Sequence, residues 1–215
     1  MNDSRRNVGR HQPHNTVHIR DGRVIVDLML MGDYNAGKTS IIGRFVDGVF
    51  DNPHYWTGCS FYVKTLWMDN SEVKLRLWEA MGGERFRGPV LSAYRHCHCV
   101  IIVYDVTNRS SFENIEKIWL KNVEENGSCD LPVIIVGTKC DLPGRQVDYV
   151  TAKKFSDSLK LPFTETSSLT GYGVDRAIMS GVALAMEKIL QTVSCVREPE
   201  YANVSRKPDS GCQIT

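Results

Sequence analysis

Gly32-Asp33-Tyr34-Asn35-Ala36-Gly37-Lys38-Thr39 fits the spacing G-x-x-x-x-G-K-[ST], and each residue type in it suits the binding of phosphate. Gly32 and Gly37 let the backbone turn tightly and aim successive N–H groups at phosphate oxygens. The Lys38 ammonium can stand between a β- and a γ-phosphate, and the Thr39 hydroxyl can ligate Mg²⁺. Two later segments carry the chemistry of a base. Val136-Gly137-Thr138-Lys139-Cys140-Asp141 offers a carboxylate that can accept from guanine N1–H and its exocyclic amine, donors that adenine lacks, while the Lys139 stem covers the ring. Glu165-Thr166-Ser167-Ser168 can offer a backbone N–H to guanine O6. Either short segment alone is weak, since Lys and Asp in loops are ordinarily solvated surface. Together, in this order behind a phosphate loop, they are strong.

Such groups work only if strands and helices hold them. Val24–Met31 is an apolar run of buried-strand length ahead of the loop, and Ile41, Ile42, Phe45 and Val46 recur behind it at helical spacing. A helix there places its N-terminal dipole at the phosphate. Ser60–Met68 and Glu72–Trp78 flank Asp69-Asn70-Ser71, a turn joining two antiparallel strands. Val100–Val106 and Val133–Val136 are β-branched runs of the kind found in strands covered on both faces. Between them Phe112, Ile115, Ile118, Trp119 and Val123 keep helical spacing, with Ser110 as N-cap. Thr151 opens a helix to Leu159, Leu161–Thr164 reads as the last strand, and a final helix runs from about Val174 to Val193. This order predicts an α/β domain: a mostly parallel sheet, one antiparallel edge strand, and helices on both faces. Ligands of such sheets sit beyond the carboxyl ends of the strands, which these motifs all follow.

The 215 residues, 42% of them hydrophobic, suffice for one core, and a net charge of +1 gives no reason to expect nucleic acid as a partner. Residues 1–22 are polar and read as a flexible tail, 23–193 as the nucleotide domain, and 194–215 as a disordered tail. No secretory h-region or membrane-span length of apolar sequence occurs, which points to the cytosolic side. Seven cysteines (59, 97, 99, 129, 140, 195 and 212) have no disulfide-framework spacing and read as free thiols. His96-Cys97-His98-Cys99 has the composition of a metal cluster. Adjacent strand residues point to opposite faces, however, so entry into a buried strand is the better reading.

With these motifs in place the chain resembles the Ras superfamily of small GTPases, and its Rab branch in particular, over roughly Val24 to Leu190. Lys74-Leu75-Arg76-Leu77-Trp78, Glu84-Arg85-Phe86-Arg87 and Tyr104-Asp105-Val106-Thr107-Asn108-Arg109-Ser110-Ser111-Phe112 are similar to Rab sequences, and Thr138 in place of Asn is a variant also found in the superfamily. The resemblance implies the three-layer P-loop NTPase fold with a six-stranded sheet, GTP or GDP as bound nucleotide, and Mg²⁺. The nucleotide-binding set it implies runs through Gly32, Asp33, Tyr34, Asn35, Ala36, Gly37, Lys38, Thr39 and Ser40, then Phe50, Thr57, Gly82, Thr138, Lys139, Asp141, Ser167, Ser168 and Leu169. Metal contacts fall to Thr39, Thr57 and, through water, Glu79. Phe61 and Trp78 match two members of the aromatic triad with which Rabs hold effectors, and Ala93 stands where the third aromatic is usual.

Departures from the pattern matter as much. Counting forward from Lys38 puts Thr57 at the switch threonine; the segment between Thr57 and Phe61 is one residue short, so Trp56 is the alternative occupant of that place. The family's Asp-Thr-Ala-Gly-Gln reads here Glu79-Ala80-Met81-Gly82-Gly83. Gly82 keeps an N–H for the γ-phosphate, but Gly83 replaces the Gln that orients the attacking water, so the catalytic positions Gly82 and Gly83 imply slow hydrolysis. Tyr34 is implied beside the γ-phosphate, where it either crowds an arginine finger or points outward.

The chain ends Cys212-Gln213-Ile214-Thr215, a C-a-a-X box that marks Cys212 for prenylation. Three basic residues of the tail, Arg197, Arg206 and Lys207, are balanced by Glu198, Glu200 and Asp209, so firm attachment would need a prenyl-binding carrier or acylation of Cys195. The expectation is a monomeric GTP/GDP switch of vesicle traffic on the cytosolic face of endomembranes, with effector, exchange-factor and GTPase-activating partners. A non-hydrolysing nucleotide-bound scaffold is the alternative; a P-loop nucleotide kinase would need an acceptor lid that the sequence lacks.

Overall fold

Strand β2 (Arg23–Gly32) is the axis of the molecule, because its side chains alternate between two cores. Val26, Leu28 and Leu30 enter one layer, and Met29 and Met31 enter the other. The computed structural model describes residues 19–20, 23–50, 61–68, 71–80, 94 and 96–196, with side chains between 24 and 192 within those ranges. In chain order the elements are β1 (Ile19–Arg20), β2, α1 (Lys38–Asp47), β3 (Phe61–Met68), β4 (Ser71–Glu79) and β5 (Cys99–Asp105). Then come α2 (Arg109–Asn114), a π-helical turn (Ile115–Leu120), α3 (Lys121–Asn126), β6 (Val133–Thr138), α4 (Tyr149–Ser158), β7 (Phe163–Glu165) and α5 (Val174–Val196).

The sheet runs β3-β4-β2-β5-β6-β7, with β3 antiparallel at the edge and the other five mutually parallel. β5 and β6 are buried along their whole length, as β-branched strands covered on both faces should be. Helices α1 and α5 close the first layer through Ile41, Ile42, Phe45, Ile178, Val182 and Ile189. Phe112, Ile115, Val123 and Ala152 close the second. β2 receives β4 on one side and β5 on the other, so the chain reverses direction across it and the loop after β2 lies at the switch point of the sheet.

Several boundaries differ from the sequence reading. Ile19–Arg20, inside the stretch read as tail, pairs antiparallel with Arg23 and Val24 and adds a two-residue seventh strand. The cap of α2 is Asn108, whose side chain accepts from the N–H groups of Ser110 and Ser111; Ser110 lies within the helix. Asp148 caps α4 by accepting from Thr151, which moves the helix start to Tyr149. Helix α5 continues to Val196, past the expected end at Val193. Cys97 and Cys99 enter different layers, and His98 accepts the Asp27 N–H at Nδ1 (2.9 Å). Burial pushes both thiols up, Cys99 to about 12, so each stays protonated.

Asp27 is the one carboxylate inside β2 and is fully buried. Cross-strand register places it opposite Arg76, whose Nε and Nη2 donate to its two oxygens at 2.6 Å each, and Trp78 Nε1 adds a third bond at 2.7 Å. Removing the guanidinium would strand a desolvated charge. Arg76→Ala should therefore lower the unfolding free energy by about 3 kcal/mol, near the low end for buried pairs because Arg76 is 25% exposed. Urea denaturation measures this, and a loss below about 0.5 kcal/mol would show the pair to be a surface ornament.

Candidate functional site

The phosphate loop is shaped by two glycines that no other residue could replace without strain. Gly32 has φ 148°, and a Cβ there would stand 2.1 Å from the Val103 carbonyl oxygen of the neighbouring strand. Gly37, with φ 93°, is the N-cap of α1 and brings no side chain to the cap. The first turn of α1 carries no acidic residue either, so its N-terminal amides keep their attraction for an anion. Lys38 folds back across the loop, donating from Nζ to the carbonyls of Gly32 (3.1 Å) and Asp33 (2.8 Å). Burial lowers its pKa, and the carboxylates of Glu79 and Asp33 oppose that by favouring the charged form.

Two other strand ends meet this loop, and a third holds the base-recognition segment. From β4, the Glu79 carboxylate accepts the Thr39 hydroxyl at 2.7 Å, which joins two of the residues expected to serve a metal. From β6, the Thr138 hydroxyl lies 2.6 Å from the Ala36 carbonyl and 3.0 Å from that of Tyr104, so its proton ties the base-recognition segment to the phosphate loop. From β5, Asp105 holds Lys139 at 2.7 Å. Burial pushes the Asp105 carboxyl up, but hydrogen bonds from Lys139 and Thr107 outweigh it and hold it below the usual carboxylate range. Lys139 takes a left-handed conformation (φ 59°), after which Asp141 stands exposed with its carboxylate available.

The two base-recognition loops are sewn together by backbone and by one ion pair. Cys140 N–H donates to Thr166 O (3.2 Å), and Thr166 N–H donates to Gly137 O (2.7 Å). Arg145 binds Glu165 through both nitrogens, at 2.6 and 3.0 Å. The Ser167 N–H is committed to Tyr172 O and its hydroxyl accepts from Thr170 N, so the Ser167 amide is turned to its own loop. Leu169 and Phe50 are half-exposed at 53% and 47%, and Tyr34 points into solvent at 88%. Ser40 follows Thr39 in the first turn of α1.

Phe61 and Trp78, on β3 and β4, stack with ring centroids 4.8 Å apart. Thr57, Trp56, Gly82, Gly83, Ala93 and Cys212 lie outside the described residues, as does the side chain of Cys195. The structure adds groups that motif reading passed over. Asn114 and Trp119 both donate to the Asp33 carboxylate, at 2.7 and 2.8 Å, and Arg145 and Glu165 form their pair beneath the base loops. The acid at position 165 was legible only as part of a tetrapeptide, and nothing local marked its partner.

Comparison with known proteins agrees with this geometry. The Ras family model matches residues 27–187. Ras-related protein RabF1 of Dictyostelium discoideum is 38% identical over 177 residues, which cover 81% of this chain and 92% of that protein. GTP-binding protein YPT1 of Saccharomyces cerevisiae is 38% identical over 188 residues, 85% of this chain and 91% of its own. Ras-related protein Rab-1A of Dictyostelium discoideum is 34% identical over 199 residues, 89% and 98% of the two chains.

The cradle stands or falls on Lys38 and Thr39. Lys38→Ala and Thr39→Asn should each weaken binding of GTP with Mg²⁺ by at least about a hundredfold, since each removes a charge-assisted contact in a desolvated site. Fluorescent-nucleotide titration reads this directly, and wild-type affinity in both variants would refute the assignment.

Proposed function

Because this chain belongs to the Ras family, as a Rab-like small GTPase, we propose that it acts as a GTP/GDP switch in vesicle and membrane traffic whose intrinsic hydrolysis is slow. The observation that carries this reading is the meeting of strand ends at one loop: Lys38 across Gly32 and Asp33, Thr39 on Glu79, and Thr138 on Ala36. A nucleotide lying over that junction would touch base loops and phosphate loop at once.

The hydroxyl and carboxylate that Thr39 and Glu79 bring together form an oxygen-only set, which fits a hard divalent cation. Thr39 and, through water, Glu79 would hold Mg²⁺, with Thr57 as a further ligand; the bound ion would neutralise charge on the β- and γ-phosphate oxygens. Lys38 would exchange its carbonyl partners for phosphate oxygens, and its charged form would gain from the negative charge it meets. The loop amides and the open N-terminus of α1 would complete the cradle. At the base, Asp141 would accept from guanine N1–H and the exocyclic amine, and Ser168 N–H would donate to O6; adenine would leave the carboxylate beneath the base without donors.

Hydrolysis asks for a water held in line with the γ-phosphorus. Gly82 can supply a backbone N–H to the γ-phosphate, but Gly83 has no side chain to orient that water. Positioning and charge stabilisation supply nearly all of the catalysis in phosphoryl transfer. Losing the orienting group should raise the barrier by about 3 kcal/mol, roughly a hundredfold in rate. The GTP-bound state would then be long-lived, and Phe61 with Trp78 would present it to effectors. An activating protein could shorten that state, an exchange factor could renew it, and a prenylated Cys212 with a carrier would bring the monomer reversibly to the cytosolic face of endomembranes.

A second reading rests on the same segment. Glu79, Ala80 and Gly83 together suit a nucleotide-bound scaffold that does not hydrolyse GTP at all. Single-turnover hydrolysis of preloaded GTP separates the two. Slow but measurable phosphate release, accelerated about tenfold or more in Gly83→Gln, is the expected result. No release from the wild-type protein in a day would favour the scaffold, and a Gly83→Gln variant no faster than wild type would remove Gly83 as the cause of slowness.

A further inference from the structure

Asp33, the second residue of the phosphate loop, is bound from two sides. Its carbonyl oxygen accepts Lys38 Nζ at 2.8 Å and the Ala36 N–H at 3.2 Å, which ties it to the loop's cation and to its turn. Its carboxylate faces the other way: Oδ2 accepts Asn114 Nδ2 at 2.7 Å, and Oδ1 accepts Trp119 Nε1 at 2.8 Å. Both carboxylate oxygens are therefore held by one helical segment, far from the loop in sequence.

That convergence is incompatible with a regular α-helix. Residues five apart on an α-helix point about 140° away from each other, so Asn114 and Trp119 could not reach one carboxylate. The chain solves this with the π-helical turn Ile115–Leu120, in which i→i+5 bonding brings residues five apart toward one face. Local winding of this kind is rare and is most often found as a single turn at functional sites. Here it begins directly after Asn114 and contains Trp119. Ile115 stays fully buried, while Ile118 is turned 43% into solvent, although α-helical periodicity had put both on the buried face. The sequence thus gives up apolar burial at Ile118 and regular winding, and gains two hydrogen bonds to an ionised loop residue.

We infer that Asn114 and Trp119 are positioning residues of the phosphate loop, and that the π turn exists to set their register on Asp33. By fixing the Asp33 carboxylate they fix its carbonyl, the path of Lys38, and the amides that follow, so that the loop is shaped for the β-phosphate before nucleotide arrives. The consequence is slow nucleotide release. This inference rests on the reading that the loop holds a guanine nucleotide.

The test compares full-length wild type with Trp119→Phe, which removes the N–H donor and keeps an aromatic ring, and with Asn114→Ala at a half-buried position. Release of fluorescent GDP is timed, and GDP and GMP affinities are measured side by side. GMP shares the base contacts but lacks the β-phosphate that the loop would grip, so a merely structural defect would weaken both ligands together. The expected result is GDP release about tenfold faster in Trp119→Phe, the size set by one lost bond to a charged acceptor. A matching fall in the GDP-over-GMP preference and unchanged GMP affinity are expected with it. Asn114→Ala should move in the same direction, and it carries the test alone if Trp119→Phe does not fold. GDP release within about twofold of wild type, or GDP and GMP affinities falling in parallel, would overturn the inference. Failure of the wild-type protein to bind GDP would instead overturn the functional reading beneath it.

Discussion

Lys38 carries its charge into a site from which water is largely excluded, and the loop around it is organised to compensate. Burial works against the ammonium, while the carboxylates of Glu79 and Asp33 and two main-chain carbonyls work for it. Those partners come from different parts of the chain. Glu79 ends β4 and Asp33 follows β2, and the sheet register that sets Leu30 beside Glu79 brings them within reach. The cation is therefore held by the topology of the sheet as much as by its own loop. In the proposed reading a triphosphate would be a stronger anionic partner than any of these groups, and Lys38 would turn from carbonyls toward phosphate oxygens.

The same economy extends through the core. Asp27 would be intolerable in β2 if β4 did not present Arg76 and Trp78 in register. Trp78 thereby has two roles at once: its indole N–H satisfies the buried acid, and its ring supports the half-exposed Phe61. The Phe61–Trp78 pair is thus anchored in a buried polar cluster, because Trp78 shares Asp27 with Arg76 across two strands of the sheet. On the opposite side of the site, the Arg145–Glu165 pair joins the two loops expected to read the base, so neither can shift without the other.

Much of this was legible in the chain itself, because glycine spacing, β-branched runs and their order leave few alternatives. Gly32 and Gly37 announced the loop, and Val24–Met31 with Ile41, Ile42 and Phe45 announced the strand and helix that hold it. What escaped was long-range hydrogen bonding and local choice among equivalent residues. Asn108, Ser110 and Ser111 could each cap a helix, and only the folded backbone selects Asn108. The apolar set Phe112, Ile115, Ile118, Trp119 and Val123 fits a 3.6-residue period well enough to conceal the π turn, since nothing in that spacing reports a carboxylate eighty residues earlier. Ile19–Arg20 escaped because a two-residue strand has too few side chains to show alternation. Thr57, Gly82 and Gly83, to which the resemblance gives a part in hydrolysis, lie outside the described residues.

The claim at the centre of this account is that one desolvated cradle, joined to two base loops, recognises a guanine nucleotide with Mg²⁺. Calorimetric titration of the wild-type protein with GDP and with ADP in the presence of Mg²⁺ tests it most directly. The account predicts saturable binding of GDP at one site and a preference over ADP of roughly 10⁴-fold, the size expected when a carboxylate is left without its donors. Equal affinity for the two, or heat from neither, would contradict it.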